Sequence, residues 1–272
     1  MRVPKHILID CTLSCSPNDL LTAYVEDFRG VGNYPSEMNR SGMREFDILN
    51  SLSLAIMCHL DYETPQWIER RVSEGFDVAL DYFFGDWWYD DEYRQMLDKR
   101  HPDRSLYWFK AFSCGLFLGL LSERWSDVAK LCSWIEADLK PEYLGDELEV
   151  QGCQVYTSIA ASLRPEPMEG LAEVEANIQK CRTKRPRLLF KAWQAARSGD
   201  QLAFNKAMTA SLEHFIANRR AHGTGMTDWI AHHQSVVCLA AKRLGLQLPP
   251  LPEKLAALIV TRESLGFDNK RI

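Results

Sequence analysis

The chain lacks almost every signature that names a reaction. None of its eight cysteines forms a C-x-x-C pair, which removes the commonest spacing of zinc and dithiol sites. No H-E-x-x-H occurs, so no zinc-protease helix is present. There is no G-x-S-x-G, and no cysteine lies in a glycine-rich elbow, which leaves nucleophilic catalysis without its usual frame. The one glycine-spaced loop ahead of a helix, Gly223-Thr224-Gly225, lacks a P-loop lysine. Convincing strand pairs are absent. No apolar run reaches membrane length: Leu106 to Leu121 is short and contains Lys110, so it reads as a buried helix. A secretory signal is equally hard to find, because Ile7-Leu8-Ile9 is too short for an h-region and Asp10 interrupts it.

What is present describes a helical globular protein. At 272 residues the chain can bury a substantial core. Apolar content of 46% is too high for disorder. The formal net charge of -5 argues against nucleic acid as a partner of the whole chain. Cys11, Cys15, Cys58, Cys114, Cys132, Cys153, Cys181 and Cys238 mostly sit on apolar helix faces, as small hydrophobes do. They read as reduced thiols of a cytoplasmic protein.

Charge is unevenly distributed. Glu74 to Asp98 holds eight acidic residues and one basic, Arg94. Glu136 to Glu149 holds six acidic and one basic, Lys140. Lys180, Arg182, Lys184, Arg185, Arg187, Lys191 and Arg197 follow with no acidic residue among them. That basic run has few interleaved aromatics and reads as a solvated or intramolecularly paired face.

Helical periodicity predicts an all-α fold of about ten helices in one domain over 1–272, with an irregular segment over 1–40 and a frayed tail over 261–272. A short helix over Asn18 to Phe28 and another from Ser41 to about Leu60 are expected. Pro65 starts the next, with Ile68, Val72, Phe76, Ala79 and Phe83 on one stripe. Asp103 caps a helix that is apolar nearly all round and therefore central. Ser126 opens another, stopped by Pro141. Helices over Leu148–Leu163, Met168–Cys181, Leu188–Arg197 and Leu202–Arg220 follow. Gly199 and Asp200 suit the C-cap and N-cap of a tight hairpin. Thr227 caps a last long helix ending at Gly245, and a short one lies near Lys254 to Val260. Such a chain packs as a multi-helix bundle or a short solenoid of antiparallel hairpins. No repeat consensus is visible.

Two constellations invite chemistry. His214, His222, His232 and His233 crowd one quarter of the chain. Neighbours on a helix point about 100° apart, so His232 and His233 do not easily grip one ion, and the four read as surface or satisfied core histidines. No metal and no cofactor is expected. The second constellation is Asp81 to Tyr93, with seven aromatics and five carboxylates in thirteen residues. A solvated acidic face, general acid–base chemistry and a binding face all remain open there. Trp87 and Trp88 favour binding, because large amphipathic rings anchor interfaces.

The order of motifs in the second half resembles a known family. Lys191-Ala192-Trp193 precedes Ser198-Gly199-Asp200, then Phe204-Asn205-Lys206-Ala207 and Ser211-Leu212-Glu213-His214. Val236 to Gly245 and Leu248 to Pro252 follow. This is similar to the Imm49-type helical immunity proteins of bacterial polymorphic toxin systems, over roughly Leu106 to Leu258. Tyr107 to Ala111, Arg124 and Leu131-Cys132 are similar to their middle helices. The resemblance implies a non-enzymatic antitoxin that binds and occludes a cognate toxin.

The residues themselves suggest where. Asp86, Asp90, Asp91 and Glu92 would complement a basic toxin surface, and Trp87, Trp88, Tyr89 and Tyr93 would anchor it. A helical adaptor or scaffold for another partner, and a small hydrolase using the acidic cluster or the histidines, are the competing readings. No membrane partner is expected, and monomer against dimer is left open.

Overall fold

The computed structural model describes residues 65–85, 105–136, 147–218 and 230–267. Within them lie nine helices: α1 Pro65–Phe84, α2 Ser105–Ser122, α3 Trp125–Ser133, α4 Glu147–Leu163, α5 Leu171–Lys180, α6 Lys184–Arg197, α7 Gln201–Asn218, α8 His232–Arg243 and α9 Glu253–Ala256. No strand occurs among the described residues. The fold is all-α, and consecutive helices pack together as α1 on α2, α4 on α5 and α6 on α7. None of the described helices is long and apolar enough to cross a membrane. The helices expected before Pro65, and the caps expected at Ser41 and Asp103, lie outside the described residues; the helix expected from a Thr227 cap instead begins at His232, with Ala231 at its N-cap.

Helix α2 is the centre. Every residue from Ala111 to Leu121 is buried, as an all-round apolar helix requires. It touches α1, α3, α4 and α8. Two of its glycines set how closely α1 approaches. A Cβ at Gly119 would come within 2.7 Å of the Phe76 ring, and one at Gly115 within 2.8 Å of the Ala79 Cβ. The expected stripe of α1 faces them: Ile68, Val72, Phe76, Ala79 and Phe83 are all buried. Small residues on one helix therefore admit the bulk of the other.

The hairpin α6–α7 follows its local chemistry closely. Gly199 is left-handed at φ +71°. Asp200 N–H donates to Ala195 O at 3.0 Å and Gly199 N–H to Ala196 O at 3.1 Å, which is the Schellman pattern. Asp200 then caps α7, its Oδ1 accepting from Ala203 N–H at 2.9 Å. Phe204, Ala207, Met208, Ser211, Leu212 and Phe215 are buried along one side of α7. Helix α8 ends the same way at Gly245, φ +91°, with Leu246 N–H donating to Ala241 O at 3.1 Å.

Several boundaries differ from expectation. Helix α6 begins four residues before Leu188, at Lys184. Pro186 sits in its first turn, where a missing N–H costs nothing. Helix α5 begins at Leu171, because Gly170 is left-handed at φ +77° and cannot belong to it. Ser126 does not open α3. The N-cap is Arg124, whose side chain instead ties α3 to α1 through Asp77 while also holding Asp127. The tail expected to fray from Thr261 is packed as far as Phe267. Thr261 and Leu265 are buried, and the Arg262 guanidinium donates to Leu121 O while approaching Glu69 and Glu123.

Candidate functional site

Helix α1 delivers the chain to the acidic-aromatic run. Its last aromatics divide: Tyr82 and Phe83 are buried, and Phe84 is exposed. Phe83 packs on Trp134 and Phe112. Phe84 lies under the Lys130 ammonium, 5.0 Å from ring centre to nitrogen, a cation–π contact. Gly85 N–H closes the helix on Asp81 O at 2.8 Å. A Cβ at Gly85 would meet that same carbonyl oxygen at 2.5 Å. The start of the run is thus split between core and surface. Asp86, Trp87, Trp88, Tyr89, Asp90, Asp91, Glu92 and Tyr93 themselves lie outside the described residues.

A polar cluster sits where α2, α4, α6 and α8 meet, and the adjacent histidines of α8 occupy its middle. The Tyr156 hydroxyl of α4 and Nδ1 of His233 share a hydrogen bond of 2.9 Å. The rings of His232 and His233 are 5.1 Å apart at an interplanar angle of 40°. His232 stands edge-on to Phe117 of α2 at 5.2 Å, and Tyr156 edge-on to Phe109 at 5.4 Å. Both edge-on contacts follow ring quadrupole preference. So the two histidines do not diverge to opposite sides of α8. Each turns inward and meets a different helix.

Electrostatics hold this cluster neutral. Burial, with the Arg185 charge behind it, pulls His232 down to about 4, against the opposing effect of a hydrogen bond to the Ser113 backbone. His233 is pushed well below the ordinary histidine range by burial, by His232 and by Arg185. Tyr156 is raised well above the ordinary phenol range, by burial first and then by Cys114, while Arg185 opposes the rise. A histidine bonded to a backbone carbonyl must carry its proton on the bonded nitrogen. His232 Nε2, buried and without a hydrogen-bond partner among the described residues, is therefore a bare acceptor. Neutral imidazoles can take up a proton. The hydroxyl presented to His233, however, belongs to a buried phenol with little tendency to give its proton away.

The remaining candidates disperse. His214, on α7, is 2.8 Å from the Asn218 amide through Nδ1. Its pKa falls through burial and the nearby charges of Lys184 and Arg185. His222 lies outside the described residues. Among those described, no three His, Cys, Asp or Glu side chains converge on a metal-sized site. Cys114, Cys132, Cys153, Cys181 and Cys238 are buried and form no disulfide among the described residues. Burial raises the thiols of Cys153 and Cys238 to about 12, which leaves them inert as nucleophiles. The basic run is mixed: Arg197 pairs with Glu175, whereas Lys180, Arg182, Lys184, Arg187 and Lys191 are exposed.

Sequence reasoning missed Tyr156 and Arg185 as members of the cluster. The signal for Tyr156 was weak but real: a lone phenol among Cys153, Val155, Ile159 and Ala160, all buried. Arg185 was hidden inside a run of exposed cations. No family model, no curated protein and no solved structure matches the chain.

Proposed function

We propose that the chain is a cytoplasmic immunity protein that neutralises a cognate toxin by binding and occluding it, without catalysing a reaction. The observation that supports this reading is the folded form of residues 184–260. There, the α6–α7 hairpin closes through Gly199 and Asp200. Helix α8 stops at Gly245, and a proline-bearing segment leads into α9. These are the elements on which the likeness to Imm49-type proteins rests, in the same order.

The toxin-contacting residues proposed are Asp86, Trp87, Trp88, Tyr89, Asp90, Asp91, Glu92 and Tyr93. Helix α1 supports that choice only up to its edge, where Phe84 already faces outward. Tryptophan and tyrosine would anchor the complex, and the carboxylates would speed its formation with a basic toxin surface.

The deciding experiment is a pull-down with the product of the neighbouring gene, at low and at high salt. A tight complex weakened by salt is expected. The double variant Trp87→Ala, Trp88→Ala should weaken it by about 2 kcal/mol or more, as interface hot spots do. Full affinity in that variant removes the proposed contact residues. No complex at either salt removes the immunity reading and favours a helical adaptor.

A further inference from the structure

We propose that the exposed basic face built by the end of α5, the α5–α6 link and the outer side of α6 docks an acidic protein surface. The proposal does not rest on the immunity reading, whose expected partner is basic.

The geometry is simple. Lys184, Arg187 and Lys191 are spaced i, i+3 and i+7 and share one side of α6, all three exposed. They span roughly 10 Å along the axis. Pro186, Leu189, Phe190, Ala192 and Trp193 cover the opposite, buried side, so α6 cannot roll to hide its cations. Lys180 at the end of α5 and Arg182 in the link extend the face, and both are exposed. The chain holds no acidic residue between Glu175 and Asp200, and Glu175 is already committed to Arg197.

The treatment of cations elsewhere makes this face unusual. Arg70 and Arg71 hold Glu74. Arg124 holds Asp77 and Asp127, Lys242 holds Glu263, and Arg262 reaches Glu69 and Glu123. Lys130 and Arg243 cover the rings of Phe84 and Trp125, and Arg164 donates to Ile135 O. By contrast, none of Lys180, Arg182, Lys184, Arg187 and Lys191 forms an ion pair among the described residues. Among the described residues, Lys206 and Lys254 likewise form no ion pair. Five neighbouring like charges repel one another, and an acidic partner relieves that repulsion while steering association.

Protein fits this face better than nucleic acid. The aromatics of the run, Phe190 and Trp193, are buried and cannot stack on bases.

Binding of the full chain to immobilised poly-L-glutamate, with a short RNA duplex as comparison, tests the proposal. Retention on polyglutamate that falls with salt is expected. The triple variant Lys184→Glu, Arg187→Glu, Lys191→Glu should bind roughly tenfold or more weakly, and the control Lys206→Glu, Lys254→Glu should bind as the parent does. The neutral triple variant, with glutamine at the same three positions, should show the same loss in smaller measure, and it serves if the charge reversal does not fold. Three results overturn the proposal: no retention of the parent chain, an equal loss in the control, or tighter binding of the duplex than of polyglutamate.

Discussion

Tyr156 and His233, 77 positions apart, meet through a single 2.9 Å hydrogen bond between α4 and α8. Both belong to a neutral cluster, so the part-buried bond contributes as a polar contact rather than as an ion pair. Replacing Tyr156 with Phe keeps the ring and its edge contact with Phe109 but strands His233 Nδ1. A loss of about 0.5–1.5 kcal/mol is expected, the usual net contribution of one hydrogen bond, because His233 is only half-buried. Urea unfolding of the variant and the parent measures it. An unchanged midpoint would mean that the bond adds nothing to stability.

The cluster also predicts how stability depends on pH. His232 titrates at about 4 in the fold against 6.5 ordinarily. Its neutral form is therefore the one the fold favours, and between those values the unfolded chain binds more protons. Stability from this residue is complete above about pH 6.5 and declines as pH falls through the folded value. The shift corresponds to something on the order of 3 kcal/mol at full protonation. His233, also lowered, acts in the same direction. His232→Phe should flatten the fall in unfolding free energy between neutral and mildly acid pH, whatever it does to stability at neutral pH. A slope equal to the parent's would show that His232 is not the group responsible.

Gly119 offers a packing test of opposite sign to helix propensity. Alanine favours a helix over glycine by about 1 kcal/mol. At Gly119, however, the added methyl meets the Phe76 ring at 2.7 Å and Val128 Cγ2 at 3.0 Å. Phe76 is fully buried and has nowhere to move. Overpacking of this kind costs about 1–3 kcal/mol, so Gly119→Ala should destabilise on balance. The double variant Gly119→Ala, Phe76→Leu should recover part of the loss. Thermal melting of the two variants decides whether close approach of α1 and α2 is the cause.

How much of this was legible in advance follows from the range of each interaction. The stripe of α1 and the inward side of α7 were readable because helical spacing is local, and so were Gly199 and Asp200 as caps. The start of α6 was misplaced because Pro186 reads as a breaker until its first-turn position is known. Ser126 looked like a cap, but the Arg124 carbonyl already accepts from Asp127 and Val128 N–H, so α3 begins at Trp125. The packed segment from Thr261 to Phe267 depends on Arg262 reaching Leu121 O, 141 positions away. The histidine–tyrosine cluster is of the same kind, since no periodicity relates Tyr156 to His233. The acidic-aromatic run was conspicuous from composition alone, yet only its first five residues, Asp81 to Gly85, are described, with Tyr82 and Phe83 in the core and Phe84 outside.

The α6–α7 turn allows two contributions to be separated by mutation. Gly199 has nothing within 4 Å of where a Cβ would lie, so Gly199→Ala adds no clash. Its whole cost comes from holding alanine at φ +71°, about 1 kcal/mol. Asp200→Ala leaves the backbone untouched but removes the bond to Ala203 N–H, also worth about 1 kcal/mol. Gly199→Asn should fall between the parent and Gly199→Ala, because asparagine tolerates the left-handed region better than alanine. Asp200→Ser should restore most of the cap. If Gly199→Asn proves no better than Gly199→Ala in denaturant unfolding, backbone strain is not what the glycine relieves. The turn would then draw its stability from the packed sides of α6 and α7 instead.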